Sequence, residues 1–309
     1  VDNPAAQSLD RLPEALGHGY GWVPSVTERT DAYLYFRPLI VAANSVQWAL
    51  SGGAPWVFHL MNLLTHAMAA AVVSIILLRL RSHWSAALLA GGLFALHPVH
   101  SEAVAWVSGR TDLCAGLFGL LALAWAAARM VGERSWEASR ASLAAVGAAI
   151  LLALFSKESA VAVALLLPAL AYAAGRGGGA AGWARPGTAG SPERFWLTVG
   201  VVVVLYLTLR FVVLGEDAAG GSAWRDTADG LLRGGLGARL LLGGNLLIIY
   251  LQRLIVPWPL TMDPPAGLGS PPYPVAPGVA GLALMAALGC AFLYLVLRPS
   301  VRFGPGGTM

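Results

Sequence analysis

Residues 56–79 read WVFHLMNLLTHAMAAAVVSIILLR. Positions 57–78 form one apolar run, and roughly 20 helical residues cross a bilayer core about 30 Å thick. Trp56 stands before the run and Arg79 and Arg81 follow it, the aromatic and cationic anchors of a membrane-spanning helix. His59, Asn62 and His66 interrupt it at spacings of three and four, which puts them on one helical face. Two alternatives stay open for that face: hydrogen-bonded packing between helices, or a polar wall along a water-filled cavity. A metal held by His59 and His66 alone is disfavoured, because seven residues put them two turns apart.

Similar runs follow along the chain. They occupy residues 85–96 (expected to continue through His97 and Pro98), 113–130, 143–155, 160–174, 195–214, 239–256 and 279–297. With the first, this makes about eight hydrophobic helices, and a polytopic all-α helix bundle is the architecture that satisfies their backbones in lipid. Composition agrees. The 309 residues are 57% hydrophobic and 12% charged, against about 25% charged in a soluble domain. That excludes disorder, a disulfide scaffold and an ordinary soluble enzyme, for want of polar surface to cover such a core. A net charge of +4, with bases scattered between apolar runs, also argues against a nucleic-acid partner. Cys114 and Cys290 lie inside apolar runs and read as small buried hydrophobes.

Orientation follows from the Lys/Arg bias of short loops. Arg79/Arg81, Arg129/Arg134/Arg140 and Arg176/Arg185/Arg194 fall on alternate loops, which are then cytoplasmic. The outer side receives residues 1–55 as an extracytoplasmic loop, and outer loops near 97–112, 156–158 and 215–238 of a bundle spanning 56–302. Residues 303–309 are a tail. In the first loop, Phe36-Arg37-Pro38-Leu39 opens a helical run to Leu50, with Pro at the favoured first position. It is too short to span and fits an interfacial helix. One conflict arises: a full crossing at 239–256 would put Arg298 and Arg302 outside. Asn245, Gln252 and Arg253 in that run suit a re-entrant or interfacial segment instead.

Polar residues are informative where lipid makes them expensive. His97-Pro98-Val99-His100-Ser101-Glu102 puts two imidazoles and a carboxylate within six residues, suited to acid–base work or to a Pro-broken helix end meeting interfacial water. Arg110 and Asp112 follow; a local salt bridge capping the next helix is the plain alternative for them. Lys157 is the only lysine among twenty bases, and it sits with Glu158 between two apolar runs. A compact ammonium suits a phosphate as a point charge, or simply pairs with its neighbour. Arg37 can contact a phosphate or extend to the interface. All of these groups fall on the extracytoplasmic side. Together they suggest one polar cavity suited to a phosphorylated lipid carrier.

These residues also carry a resemblance. FRPL (36–39), FHLMNLLTH (58–66), HPVHSEAVAWVSGR (97–110), Asp112, SKE (156–158) and YLTLR (206–210) occur in that order. The set resembles the membrane part of the GT-C glycosyltransferases, specifically the transmembrane, TPR-containing protein O-mannosyltransferases (the TMTC group) and their bacterial relatives, over about residues 1–265. The 14-residue HPVHSEAVAWVSGR stretch is the specific part. The resemblance implies a membrane glycosyltransferase that moves a sugar, mannose in the eukaryotic group, from a polyprenyl- or dolichyl-phosphate carrier to a protein Ser/Thr hydroxyl. It further implies an acidic pair before an Asn-Pro dipeptide. Asn3-Pro4 is present here, so that pair and the first helix are expected upstream of Val1, and the chain reads as a piece of a longer one. The late-loop Asp followed by an aromatic appears as Asp263-Pro264, a departure.

The expected assignment is therefore Glu102 as acid–base group with His97 and His100 beside it. Lys157, Arg110 and Arg37 are expected on the donor phosphate, in that order, with Glu158, Asp112, His59, Asn62 and His66 in support. No metal ligand set is assigned; a divalent metal is compatible with the chemistry without being required. The expected location is a bacterial cytoplasmic membrane, or the endoplasmic reticulum membrane in a eukaryote. Competing readings are a transporter or lipid flippase with a buried Lys–Glu/His site, and an inactive scaffold.

Overall fold

The computed structural model describes residues 7–20, 35–80, 82–131, 140–164, 166–167, 170, 192–215, 235–258 and 274–297. Asn3-Pro4, Asp263-Pro264, the tail at 303–309, Arg81, Arg134, Arg176, Arg185, Arg298, Arg302 and most of the 215–238 loop lie outside them. The elements are α1 (Leu12–Leu16), α2 (Pro38–Ser51), α3 (Pro55–Arg79), α4 (Trp84–Leu96), α5 (Ser101–Ala105), α6 (Arg110–Val131), α7 (Arg140–Ser156), α8 (Pro192–Leu214), α9 (Gly235–Ile255) and α10 (Val275–Leu297). Among the described residues the fold is all-helical.

Among the described residues, four helical stretches are long and apolar enough to cross a membrane: Pro55–Arg79, Val107–Ala128, Glu193–Leu214 and Leu236–Ile255. Trp84–Leu96, Arg140–Ser156 and Val275–Ala291 are apolar but shorter. The helix bundle stands, whereas the count of about eight is not reached among the described residues. The run at 160–174 is described only in part, with 161–164 helical. Outer faces carry continuous exposed apolar surface, as on α8, where Leu197, Val201, Val204, Phe211 and Val212 are exposed. A soluble protein rarely tolerates such a surface, and lipid is its natural solvent.

The core forms around α7, whose Val146, Ala149, Ile150, Ala153 and Leu154 are almost completely buried between α6 and α8. Small residues let α7 approach its neighbours closely, so this helix is central although short. Phe36 reaches into the same core against Phe155 and Tyr206, at ring distances of 5.9 and 6.1 Å. The α9–α10 pair packs chiefly on itself. A Cβ on Gly244 would lie 2.0 Å from the Gly278 carbonyl oxygen, so glycine is required at that crossing.

Two expectations need correction. Helix α4 does not continue through His97 and Pro98: it stops at Leu96, and His97 is extended (φ −67°, ψ 123°). Proline disfavours helical backbone in the residue before it, which is the physical reason. Cys290 is exposed rather than buried, on the outer face of α10, and both cysteines are free.

The candidate site at one end of the bundle

The N-termini of α3 and α6 and the C-termini of α4, α7 and α8 converge at one end of the bundle. The network described below draws its side chains from these ends, from the segments that join them, and from α2 and the residues before it. Arg79, Arg140 and Arg194 belong to the opposite helix ends. Exposed Trp56 and Trp106 mark the site end, and exposed Trp84 and Trp196 the other.

Arg37 precedes α2, where Pro38 occupies the first helical turn. Its guanidinium donates through Nη2 and Nε to Glu158 Oε2, at 3.0 and 3.3 Å. Arg210, from within α8, donates to Glu158 Oε1 at 3.3 Å. Glu158 is thus held between two guanidiniums whose side chains are only 12% and 17% exposed. Arg37 also lies 4.3 Å from the ring centroid of Tyr35 and 5.5 Å from that of Tyr20, over both faces. Burial raises the Tyr20 phenol above its ordinary range, opposed by the nearby positive charges of Arg37 and Arg110. The buried Tyr206 ring stacks into the same region beside Arg210 and Glu158. Lys157 pairs with Asp112 rather than with its neighbour Glu158: Nζ donates to Oδ1 at 2.5 Å, with the two side chains 29% and 50% exposed. Asp112 stands in the first turn of α6, where a carboxylate is favoured by the helix dipole.

Arg110 is arranged differently. It is 5% exposed and makes no ion pair among the described residues. Its Nε donates to Asn62 Oδ1 at 3.2 Å, Nη2 to the Phe58 carbonyl at 3.1 Å, and Nη1 to Asn44 Oδ1 at 2.8 Å and to Gln47 Oε1. Gln47 is itself oriented by donating to the Val57 carbonyl at 2.8 Å. The turn that delivers Arg110 needs Gly109, where a Cβ would lie 2.3 Å from the Ala103 carbonyl oxygen.

Asn62 and His66 face protein and not water. Asn62 is fully buried and donates to the Val104 and Trp106 carbonyls, closing the end of α5. His66 Nε2 bonds the Ala95 carbonyl at 3.1 Å, one of the last-turn acceptors that α4 cannot satisfy itself. This is the packing alternative of the two left open by the sequence. His59 falls at the edge of that face and is exposed, away from Asn62 and His66.

The His-Pro-Val-His turn is a hinge of rings. His97 Nδ1 accepts from the Val99 amide at 3.2 Å and Nε2 donates to the Leu254 carbonyl at 2.9 Å, so the ring is held as the neutral Nε2–H tautomer. This bond puts the C-terminal end of α9 at the site end, where α8 also terminates. Two helices ending at one level are not successive antiparallel crossings, which is the conflict that the charge count raised for 239–256. His100 lies 5.0 Å from His66 and 4.4 Å from Phe94 between ring centroids. Burial lowers its basicity, and the neighbouring His66 and His97 add to that. Glu102, on α5, is exposed; its carbonyl accepts from the Trp106 amide at 2.9 Å, and its side chain makes no hydrogen bond among the described residues. No three His, Cys, Asp or Glu side chains among the described residues converge as a metal ion would need.

The structure therefore brings Arg37, Glu158, Lys157, Asp112 and Arg110 to one end of the bundle, with His66, His97 and His100 as an adjoining ring cluster. Sequence reasoning assigned no role to Asn44, Gln47, Tyr20, Tyr35 or Arg210. Arg210 carried a usable signal, a charge inside an apolar run; Asn44 and Gln47 carried a weaker one, two amides one turn apart in the run to Leu50.

These features define a polytopic helical membrane protein with a charged, hydrogen-bonded network at one end. Among known proteins, the chain is 43% identical over 145 residues to protein O-mannosyl-transferase Tmtc2 of Drosophila melanogaster, covering 44% of this chain and 14% of that one. It is 42% identical over 91 residues to TMTC2 of Homo sapiens, covering 28% and 10%. It is 37% identical over 139 residues to TMTC4 of Mus musculus, covering 39% and 18%. The resemblance to the TMTC protein O-mannosyl-transferases is thus borne out, over segments that span less than a fifth of these relatives' own lengths. No family model and no solved structure matches the chain.

Proposed function

We propose that this chain is the donor-binding part of a membrane protein O-glycosyltransferase. It transfers a sugar, mannose by likeness to its relatives, from a polyprenyl- or dolichyl-phosphate carrier to a Ser/Thr hydroxyl on the extracytoplasmic face. One observation carries this reading. Four cations (Arg37, Arg110, Lys157, Arg210) gather against two carboxylates (Glu158, Asp112) at the bundle end opposite Arg79, Arg140 and Arg194, leaving excess positive charge for an anion. The Arg-rich end is cytoplasmic by the loop rule, so the network faces outward.

The chemistry assigned to the site is inverting transfer. A carboxylate takes the proton of the acceptor hydroxyl, the oxygen attacks the anomeric carbon, and the carrier phosphate leaves with the bonding electron pair. Glu102 suits the first task because its side chain is exposed and makes no hydrogen bond among the described residues. Lys157 and Arg37 suit the second, since partly exposed cations can exchange a carboxylate for a departing phosphate. His97 has both ring nitrogens committed and holds the turn that carries Glu102; His100 completes the ring cluster beside it.

The test uses the complete protein in membranes, supplied with labelled polyprenyl-phosphate mannose and an acceptor. Lys157→Ala and Glu102→Gln should each lower transfer on the order of a hundredfold or more. Turnover like the parent's in both variants would sink the site assignment. Uptake of the labelled carrier into sealed vesicles with no glycosylated product would replace the transferase reading by transport.

A further inference from the structure

Arg110 poses a question that the proposed reaction does not answer. A guanidinium removed from water is ordinarily compensated by a carboxylate, because an uncompensated buried charge is costly. Here a carboxylate is at hand two residues away, yet Asp112 is engaged with Lys157. Instead, Arg110 is surrounded by three side-chain amide oxygens and one backbone carbonyl, all of them neutral. Amide oxygens satisfy the donors, fix the orientation of the fork and leave its charge intact. At 5% exposure that charge is poorly screened by solvent or salt. Tyr20 lies within electrostatic reach of both Arg110 and Arg37, so the buried cation and the rim of the charged network share one region.

We infer that Asn44, Gln47 and Asn62 are positioning residues that hold Arg110 without neutralising it, so that a fixed positive charge stands behind the Arg37–Lys157 anion site. The inference rests on the proposed reading that this site takes a phosphate. It assigns Arg110 a different part from direct contact: four of its five N–H donors are taken by protein, and it acts through its field on whatever anion the more exposed cations hold. Compensation by a carboxylate would hold the fold equally well and abolish that field. The amides are thus the specific feature, since they satisfy the hydrogen bonds without cancelling the charge.

Substitution at Gln47 separates charge from geometry. Gln47→Glu keeps the side-chain shape and puts a carboxylate on Arg110 Nη1; Gln47→Leu removes the hydrogen bond and leaves the charge. Both are measured in the full chain in phosphatidylcholine nanodiscs, by thermal unfolding and by calorimetric titration with inorganic phosphate and, separately, undecaprenyl phosphate. Gln47→Glu should unfold no earlier than the parent and bind both phosphates about tenfold more weakly, the scale of cancelling one unit charge near a site of intermediate dielectric. Gln47→Leu should unfold earlier and lose several-fold less affinity than Gln47→Glu. If Gln47→Glu binds like the parent, or Gln47→Leu loses as much affinity as Gln47→Glu, the inference is overturned. Asn44→Asp, at the part-buried edge of the cradle, applies the same charge if Gln47→Glu does not fold. Failure of both acidic variants to fold also overturns it, because a cradle that admits no carboxylate is structural. A parent that binds inorganic phosphate and not the polyprenyl form removes the donor reading and leaves the inference standing. A parent that binds neither removes both.

Discussion

Arg37 and Arg110 serve the same end of the bundle and are held in opposite ways. Arg37 sits under two tyrosine rings and shares Glu158 with Arg210, an ion network whose members remain 12–25% exposed. Arg110 is buried among amides, with no opposite charge on it among the described residues. The difference follows from solvent. At the rim, water screens the charges, so an ion pair forms and breaks at small cost and its partners stay exchangeable. In the interior a donor withdrawn from bulk solvent needs a lasting acceptor, and the choice of a neutral or a charged acceptor decides whether the field survives.

That contrast orders the expected losses of stability on substitution. Arg110→Met should cost the most, about 3 kcal/mol, because it strands three buried acceptors and one part-buried acceptor at once. A fall in unfolding temperature no larger than that of a surface variant would show that the amides re-pair among themselves. Glu158→Gln should cost about 1–2 kcal/mol, since it leaves two part-buried guanidiniums without their anion while solvent still reaches them. Measured beside Arg110→Met in the same detergent, a larger loss for Glu158→Gln would reverse the assignment of interior and rim. Lys157→Met should change stability by no more than about 0.5 kcal/mol, its pair with Asp112 being the most exposed of the three, although transfer falls. A substantial drop in unfolding temperature would make Lys157 structural.

The smallest expected effect is on pH dependence. His100 is less basic folded than unfolded, by burial first and by His66 and His97 next. The unfolded chain therefore takes up that proton earlier as pH falls. Stability should be full above about pH 6.5 and decline below it until folded His100 is protonated too. Because the ring is partly exposed, the decline is modest. His100→Asn should flatten that part of a stability–pH curve between pH 8 and 5; an unchanged slope would assign it to other groups.

Much of the scaffold was legible because it follows from local rules. The apolar runs mark the helices, Pro38 marks the start of α2, and Arg79, Arg140 and Arg194 mark one end of the bundle. Pro98 was legible too, and its restriction of His97 should have ended α4 at Leu96 rather than extending it. The candidate residues were recognised singly. Their partners were not: Lys157 was read beside Glu158, its chain neighbour, yet its carboxylate is Asp112, 45 residues away. Arg37 reaches Glu158 across 121 residues and Arg210 reaches it across 52. His59, Asn62 and His66 share a spacing, yet only two of them are buried, because the neighbouring helices α4 and α6 cover part of that face.

The sequence alone determined that this chain lives in lipid, that it is helical, and that its costly polar residues fall in a few short stretches. Hydropathy and backbone hydrogen bonding act over one helix at a time, so a run of about 20 residues carries that information by itself. Only the tertiary structure decided which charges are cancelled and which are not. Compensation depends on what stands within about 3 Å of a charged group and how much water remains there. Those neighbours arrive from other helices, and no local pattern around Arg110 or Arg37 distinguishes the cation held by amides from the one held by a carboxylate.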